Sequence, residues 1–503
     1  MNRFLPWLYA VLIAQHLPAL FVPIITKDEG YWWTIGNAVA RGGLLYRDAA
    51  DNKPPIFFAI YAAAVGLFGT GAMAALHLLV TVGNGFILYI LHRLARRAYG
   101  EAVGIGVACC YLTLQGAFIA QELLAANSEN LMMPWLVAAL ACYVAAQQRP
   151  AWWRYLACGI CIGVAAGIRQ TGIAMLGLVW LHTALARRPW RQATAEALLA
   201  GSGTAIVWIA IGAYFAWRGT LADLWFWNVT LNRAYVGEPV PLTAIIWEGT
   251  WKTGAIVAAG GLVWWMALAA FGHARSLWRE GSVWVLFFLT MVGTVCVGWR
   301  FSHHYYIQLF PALALLAGWA MAWHRRAGRS CWPMPWRLSL LCLAVPFFGF
   351  MAEGYYRWHQ EVRGGPRPKV RAVATWLREH STPSDTLFLW GYYPEIHYYS
   401  GLANASRHIE SHIVTGQLRE VHVTAALGDV TTRLWDWLDS DFAAHPPTWI
   451  ADTSSYPVSG RLLPPTERYP RIAALIAAHY ERIATIHGMP IYHRTSPRSL
   501  SEK

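Results

Sequence analysis

Residues 5–25 read LPWLYAVLIAQHLPALFVPII, and Lys27-Asp28-Glu29-Gly30-Tyr31-Trp32 follows one residue later. An α-helix needs about 20 largely apolar residues to cross the hydrocarbon of a bilayer. The first run meets that length and contains no Asp, Glu, Lys or Arg. It has the length of a signal-peptide core but no convincing small-residue cleavage site. Pro23 and an acidic pair follow directly, so the run is read as a retained anchor. The charge that begins at Lys27 marks where the chain leaves the membrane.

Working outward, the same pattern recurs. The further apolar runs are 72–92, 102–120, 130–147, 154–168, 171–186, 195–216, 252–272, 282–299, 305–323 and 336–352, about eleven spans in all. Residues 54–68 are also apolar but open on Pro54-Pro55. They are read as an interfacial or half-inserted helix. The bulk composition agrees: of 503 residues 56% are hydrophobic and only 13% charged, about half the charge of a soluble protein. The 29 Trp and 23 Tyr suit a chain whose amphipathic rings collect at membrane interfaces. The net charge of +13 comes from short Arg clusters between apolar runs, a topology signal, and nucleic acid is excluded as a partner. The cysteines lie almost wholly in apolar runs, which argues against a disulfide framework. Cys158 and Cys161 read as small packing residues inside a helix.

Charge sets the expected orientation. With the N-terminus in the cytoplasm, the cytoplasmic turns hold Arg93, Arg96 and Arg97; Arg149 and Arg154; Arg187, Arg188 and Arg191; Arg275 and Arg279; and Arg325, Arg326 and Arg329. Every second loop is short and basic, as the positive-inside rule requires. The opposite connections, 26–71, 121–129, 169–170, 217–251 and 300–304, are longer on the whole and hold most of the acids. Beyond residue 352 the pattern changes. Residues 361–369 read as a linker, 369–380, 430–442 and 471–482 as helices, and 386–390, 448–452 and 483–492 as strands. The fold expected is a polytopic α-helical membrane protein. Residues 1–352 form the membrane domain with a first extracytoplasmic loop at 26–71, and 353–503 an extracytoplasmic α/β domain.

Ionisable groups at a membrane face are costly, which makes them functional candidates. Asp28 and Glu29 could supply a general base or hold a cation, or simply begin a solvated loop. Lys53 precedes Pro54-Pro55, which fixes the backbone. It suits a phosphate, or equally a lysine snorkelling to a headgroup. Glu129, in Asn127-Ser128-Glu129-Asn130, is a lone acid in a short outer turn, where it would also favour a helix N-terminus. Arg300, His303 and His304 open the tenth span beside Tyr305-Tyr306, and Arg169 sits between two apolar runs. Each could contact an anion or belong to an interfacial belt.

Together these residues resemble a known group. Asp28-Glu29-Gly-Tyr, Gly43-Leu-Leu-Tyr46 and Asp51-Asn-Lys53-Pro-Pro resemble the first extracytoplasmic loop of GT-C membrane glycosyltransferases. The most similar groups are the lipid A aminoarabinose transferase and protein O-mannosyltransferase families. The Asn-Ser-Glu129-Asn turn, His303-His304-Tyr-Tyr-Ile-Gln-Leu-Phe-Pro311, Trp390-Gly-Tyr-Tyr-Pro394 and Ala405-Ser-Arg407 are similar to bacterial members. The resemblance spans nearly the whole chain and is loosest in the C-terminal region. It implies an inverting transfer of sugar from a polyprenyl-phosphate donor to a hydroxyl of a cell-envelope acceptor (lipid A, a glycan, a lipid or a protein). The site would lie at the outer face of the bacterial cytoplasmic membrane. Asp28 is then the base, with Glu29 sharing or replacing it. Lys53, with Arg169, Arg300, His303 and His304, would stabilise the leaving phosphate. Glu129 matches the second acid of the family, which orients acceptor or binds metal. That position is often Asp, so a divalent cation is left open. Two other functions fit a membrane chain of this kind. A lipid-linked oligosaccharide ligase or polymerase would lean on Arg300 and His303. A transporter would place polar sites near the midplane on repeated halves, and no repeat is visible.

Overall fold

A computed structural model describes residues 4–185, 189–237, 240–273, 281–328, 336–365, 367–416, 428–457 and 462–495. Arg187, Arg188, Arg275, Arg279, Arg329 and Cys331 lie outside the described residues. The chain is mostly helical. In order come α1 (Leu5–His16), α2 (Lys27–Ala40), α3 (Pro55–Phe68), α4 (Ala72–Tyr99), α5 (Glu101–Gly116), α6 (Ala120–Leu124), α7 (Ser128–Gln148), α8 (Trp152–Ile168), α9 (Ala174–Leu185) and α10 (Trp190–Trp217). Next are α11 (Leu221–Trp225), α12 (Leu231–Val236), α13 (Leu242–Ala259), α14 (Gly261–Ala269), α15 (Ser282–Cys296), α16 (Phe310–Arg326) and α17 (Trp336–Val362).

Among the described residues five helical stretches are long and apolar enough to cross a membrane, and six if a bent pair counts as one. The expected eleven runs are therefore not all single crossing helices. The run 252–272 breaks at Gly260, and α13 and α14 diverge there by 97°. The run 5–25 is α1 followed by a tight 3-10 turn at Leu17–Phe21, with Pro18 at its start. The stretch 54–68 does open a helix at Pro55, as the proline pair requires. It then joins α4 through Gly69–Gly71, so that Pro55–Tyr99 forms one 45-residue apolar stretch. The loop expected at 26–71 contains two helices, α2 and α3.

Burial sorts these helices. The stretch His303–Arg326 is 94% buried in its apolar window, apolar on all sides and enclosed by its neighbours. Trp190–Trp217 is only 22% buried and turns its apolar surface outward, which in water would be an anomaly and in lipid is not. Helices α8 and α10 touch through small residues. A Cβ on Gly159 would lie 2.0 Å from the Ala200 carbonyl oxygen, and one on Gly203 2.2 Å from that of Leu156. Close backbone approach of this kind is how helices associate where water drives nothing.

The C-terminal region continues with α18 (Pro368–His380), β1 (Thr386–Trp390), α19 (Glu395–Ser400), β2 (Ala403–Asn404), α20 (Ser411–Val414), α21 (Gly428–Ala444), β3 (Trp449–Asp452), α22 (Pro470–His479), β4 (Tyr480–Ile486) and β5 (Met489–Arg494). The strands form one sheet in the order β2-β1-β3-β5-β4. Strand β1 runs parallel to β2 and β3, and β5 antiparallel to β3 and β4. Alternation along β1 sends Leu387 and Leu389 to one face, against Val373 and Leu377 of α18. Phe388 and Trp390 go to the other, against Leu438 of α21 and Ile472 of α22. The single strand expected at 483–492 is a hairpin. His487 and Gly488 both have positive φ, 51° and 83°, the conformation a two-residue turn needs. Ile409, Ile413 and Leu434 are buried in the same apolar cluster as the helical core, so the C-terminal region and the helices share a packed surface.

Candidate functional site at the start of α2

Glu29 is wholly buried, and its oxygens are fully occupied. Oε2 accepts from the backbone N–H of Ile25 at 2.7 Å and of Thr26 at 3.2 Å, closing the first turn of α2. Oε1 accepts from Ala126 N–H at 2.7 Å and lies 2.8 Å from His77 Nε2. A carboxylate offers about four lone-pair sites, and four partners take them. The side chain expected to share or replace the base role of Asp28 is thus enclosed by hydrogen-bond partners in the structure. It ties α2 to α4 and to the turn before α7.

Asp28 is half-buried, and among the described residues no hydrogen bond to its carboxylate is seen. It lies in the electrostatic surroundings of Tyr31, Tyr61 and Glu410. The Tyr31 hydroxyl donates to the Ala50 carbonyl at 3.0 Å. Burial pushes that phenol well above its usual range, and the nearby acids Asp51, Glu410 and Asp28 add to the effect. Lys27 Nζ sits 3.9 Å above the Tyr392 ring. Two residues that sequence reasoning missed, Glu410 and His412, come from the C-terminal region. They pair at 3.2 Å, and the His412 ring lies 6.2 Å from Tyr31 and 5.0 Å from Tyr392. Burial raises the Glu410 carboxyl, with His412 and Lys27 pulling the other way.

Lys53 reaches this surface through Asp51. Its Nζ lies 3.1 Å from Asp51 Oδ2 and 4.8 Å from the centre of the Trp32 ring. Its carbonyl accepts from the Tyr46 hydroxyl at 2.6 Å. Tyr46 is completely buried and has a φ of 70°, a conformation uncommon outside glycine and costly for a bulky residue. The packing of Tyr46 thus over-determines where Lys53 stands. The same loop is clamped from the C-terminal side, where Ala50 N–H donates to the Arg407 carbonyl at 3.0 Å.

A second cluster surrounds Glu129. Arg169 Nη1 lies 2.5 Å from Glu129 Oε1 and donates to Ser128 Oγ at 3.0 Å. Its guanidinium covers the Tyr305 ring at 4.4 Å. His304 stands between two acids, with Nε2 3.8 Å from Glu129 and Nδ1 3.2 Å from Glu122. Burial alone would raise the Glu122 carboxyl. The bond and charge of His304, with His303, outweigh it and hold the group below its ordinary value. Arg300 and His303 lie further along the same turn. Lys252 Nζ, paired with Glu248 at 2.7 Å, donates to the Arg300 carbonyl at 3.3 Å.

Two backbone junctions join the clusters. Gln170 Nε2 donates to the Asn52 carbonyl at 2.7 Å, beside Lys53 on one side and Arg169 on the other. Glu29 and Tyr61 hold the amide and carbonyl of Ala126, three residues before Glu129. The turns that carry Asp28, Lys53, Glu129, Arg169 and His304 are thereby hydrogen-bonded to one another, with Arg300 and His303 further along the turn of His304. Among the described residues no three His, Cys, Asp or Glu side chains are arranged to hold a metal ion. Glu129 is paired with Arg169 and lies near His304, and Asp51 is paired with Lys53. His77 could have been suspected as an ionisable group inside an apolar run. Glu410 and His412 gave no sequence signal.

No family model and no curated protein sequence matches the chain. Solved structures do match in fold. ArnT from Cupriavidus metallidurans bound to undecaprenyl phosphate superposes with a TM-score of 0.63 at 13% identity, over 97% of each chain. Its apo state gives 0.64 at 14%, over 98% of this chain and 99% of that one. An oligosaccharyltransferase from Archaeoglobus fulgidus, in complex with Zn and sulfate, gives 0.55 at 12%, over 89% of this chain and 67% of the other. The chain shares the fold of these solved structures, over nearly the full length of ArnT and about two thirds of the oligosaccharyltransferase.

Proposed function

We propose that this chain is an inverting glycosyltransferase that moves a sugar from a polyprenyl-phosphate donor to a hydroxyl of a cell-envelope acceptor. The observation that supports the reading is the linkage of the turns bearing these residues: Gln170, next to Arg169, holds the carbonyl of Asn52, next to Lys53, and Glu29, next to Asp28, holds the amide of Ala126 before Glu129. The acceptor hydroxyl attacks the anomeric carbon as the bond to the phosphate oxygen breaks, which inverts that carbon. Asp28 takes the hydroxyl proton. The phosphate departs as an anion, so no acid is needed to protonate it. Lys53 and Arg169 meet its charge, and His304 supports it from beside Glu129. Glu129 holds Arg169 and His304 in place, and Glu29 holds the turn that presents Asp28. Arg300 and His303 extend the basic edge toward the acceptor or carrier. No step calls for a metal ion.

The likeness to a structure holding undecaprenyl phosphate supports a lipid-phosphate carrier. The basic turns support a bacterial cytoplasmic membrane, an N-terminus in the cytoplasm, and the site and C-terminal region outside. The test is purified protein in liposomes with polyprenyl-phosphate-linked radiolabelled sugars and envelope extract. Label should move to a new product, and envelope glycans of a deletion strain should lose one residue by mass spectrometry. Solute uptake without covalent product would overturn the reading. A protein that needs Arg300 and His303 but tolerates loss of Asp28 would be a lipid-linked oligosaccharide ligase or polymerase instead.

A further inference from the structure

Helix α7 begins at the candidate site and ends about 31 Å away, at 1.5 Å per residue over its 21 residues. At that far end it forms a groove with α4. The two helices press together at Gly83, where a Cβ would lie 2.9 Å from Pro134 Cγ. Beyond that contact they flank an open groove with a cavity of about 150 Å³. Ile90 and Leu94 of α4, with Ala141 and Val144 of α7, form an apolar floor. Tyr89, Arg93 and Arg97 stand along its α4 side at intervals of four residues, so their side chains share one face. Arg93 Nη1 donates to the Tyr89 hydroxyl. Among the described residues neither Arg93 nor Arg97 has an acidic partner. Arg96, one step around the helix, is paired with Glu101 at 3.3 Å.

We propose that this groove binds one anionic membrane phospholipid, its phosphate between Arg93 and Arg97 and an acyl chain along Ile90 and Val144. The charge complementarity is local. Two cations without acids border an apolar channel at the end of two membrane helices, an arrangement suited to anionic headgroups. An arginine that merely snorkels would not need the channel.

Full-length protein in mild detergent, titrated with phosphatidylglycerol or with phosphatidylcholine of the same tails, tests this by native mass spectrometry. One phosphatidylglycerol should be retained in preference, and glycerol phosphate should not displace it. R93Q/R97Q should lower its retention about tenfold or more, R93K/R97K should retain most of it, and R96Q should leave it unchanged. Equal retention of both lipids would overturn the proposal. So would R96Q weakening binding as much as R93Q/R97Q, because attraction would then follow net charge and not the groove. These residues lie far from the candidate site, so the outcome is independent of the proposed reaction.

Discussion

Glu29 Oε1 and the amide of Ala126, 97 residues apart in the chain, meet at 2.7 Å in the buried centre of the molecule. This bond, with that from His77 on the same oxygen, joins the turn carrying Asp28 to the turn carrying Glu129. The two halves of the candidate site are held in register by a side chain that faces neither.

Removing Glu29 should therefore act on stability first. Glu29→Ala leaves His77 and three backbone donors without their acceptor. Leaving a buried donor without its acceptor costs about 1–3 kcal/mol. The expected result is a lower melting temperature in detergent and a large loss of folded yield. In a double-mutant cycle with His77→Ala the two losses should be strongly non-additive.

Asp28→Asn should separate from this. The substitution keeps shape and leaves α2 in place, but removes the proposed base. Melting temperature should stay near that of the parent, while turnover of a polyprenyl-phosphate sugar falls about 10²–10⁴-fold. Undiminished turnover would remove Asp28 from the mechanism.

Arg169→Lys keeps the charge but not the fork that reaches Glu129, Ser128 and the face of Tyr305 together. Lysine is a point donor and does not replace a planar guanidinium in such a site. Turnover should fall by about tenfold or more, measured at saturating donor, and Lys53→Met should weaken donor use as well.

Glu410→Gln tests the buried acid from the C-terminal region through pH. Burial raises the Glu410 carboxyl in the folded chain, so the folded state holds this proton more tightly than the unfolded state does. The associated stability is fully present below the ordinary carboxylate value of 4.5 and is lost as the pH rises through the higher folded value. Melting temperature of the parent should fall over that window, and the fall should be smaller in Glu410→Gln. His412→Gln, made alongside, separates any titration of the imidazole. Equal profiles for parent and Glu410→Gln would show that the acid carries no such term.

Gly30→Ala probes the contact of α2 with the C-terminal region. A Cβ at this position would lie 2.7 Å from the Glu395 backbone. Backbone cannot swing away as a side chain can. Overpacking of this kind costs about 1–3 kcal/mol, seen as lower thermal stability and reduced activity together.

The sequence by itself determined the class of molecule. Apolar runs long enough to cross hydrocarbon, separated by short Arg clusters, mark a membrane protein before any packing is known. Pro54-Pro55 set the start of α3 because proline cannot continue a preceding helix, and the short continuous apolar run Thr386–Trp390 made a buried strand. Local rules of this sort act within a few residues, so they are visible in a string. What only the tertiary structure decided was the division of labour between neighbours. Asp28 and Glu29 are adjacent acids, alike in a sequence, but a helix turns about 100° per residue. One therefore faces the centre of the molecule and the other the site. The 97° break at Gly260, the strained placement of Tyr46 beneath Lys53, and the arrival of Glu410 and His412 from the far end of the chain depend on contacts between distant segments. No local pattern carries those contacts, because each is fixed by what happens to stand opposite once the helices have packed.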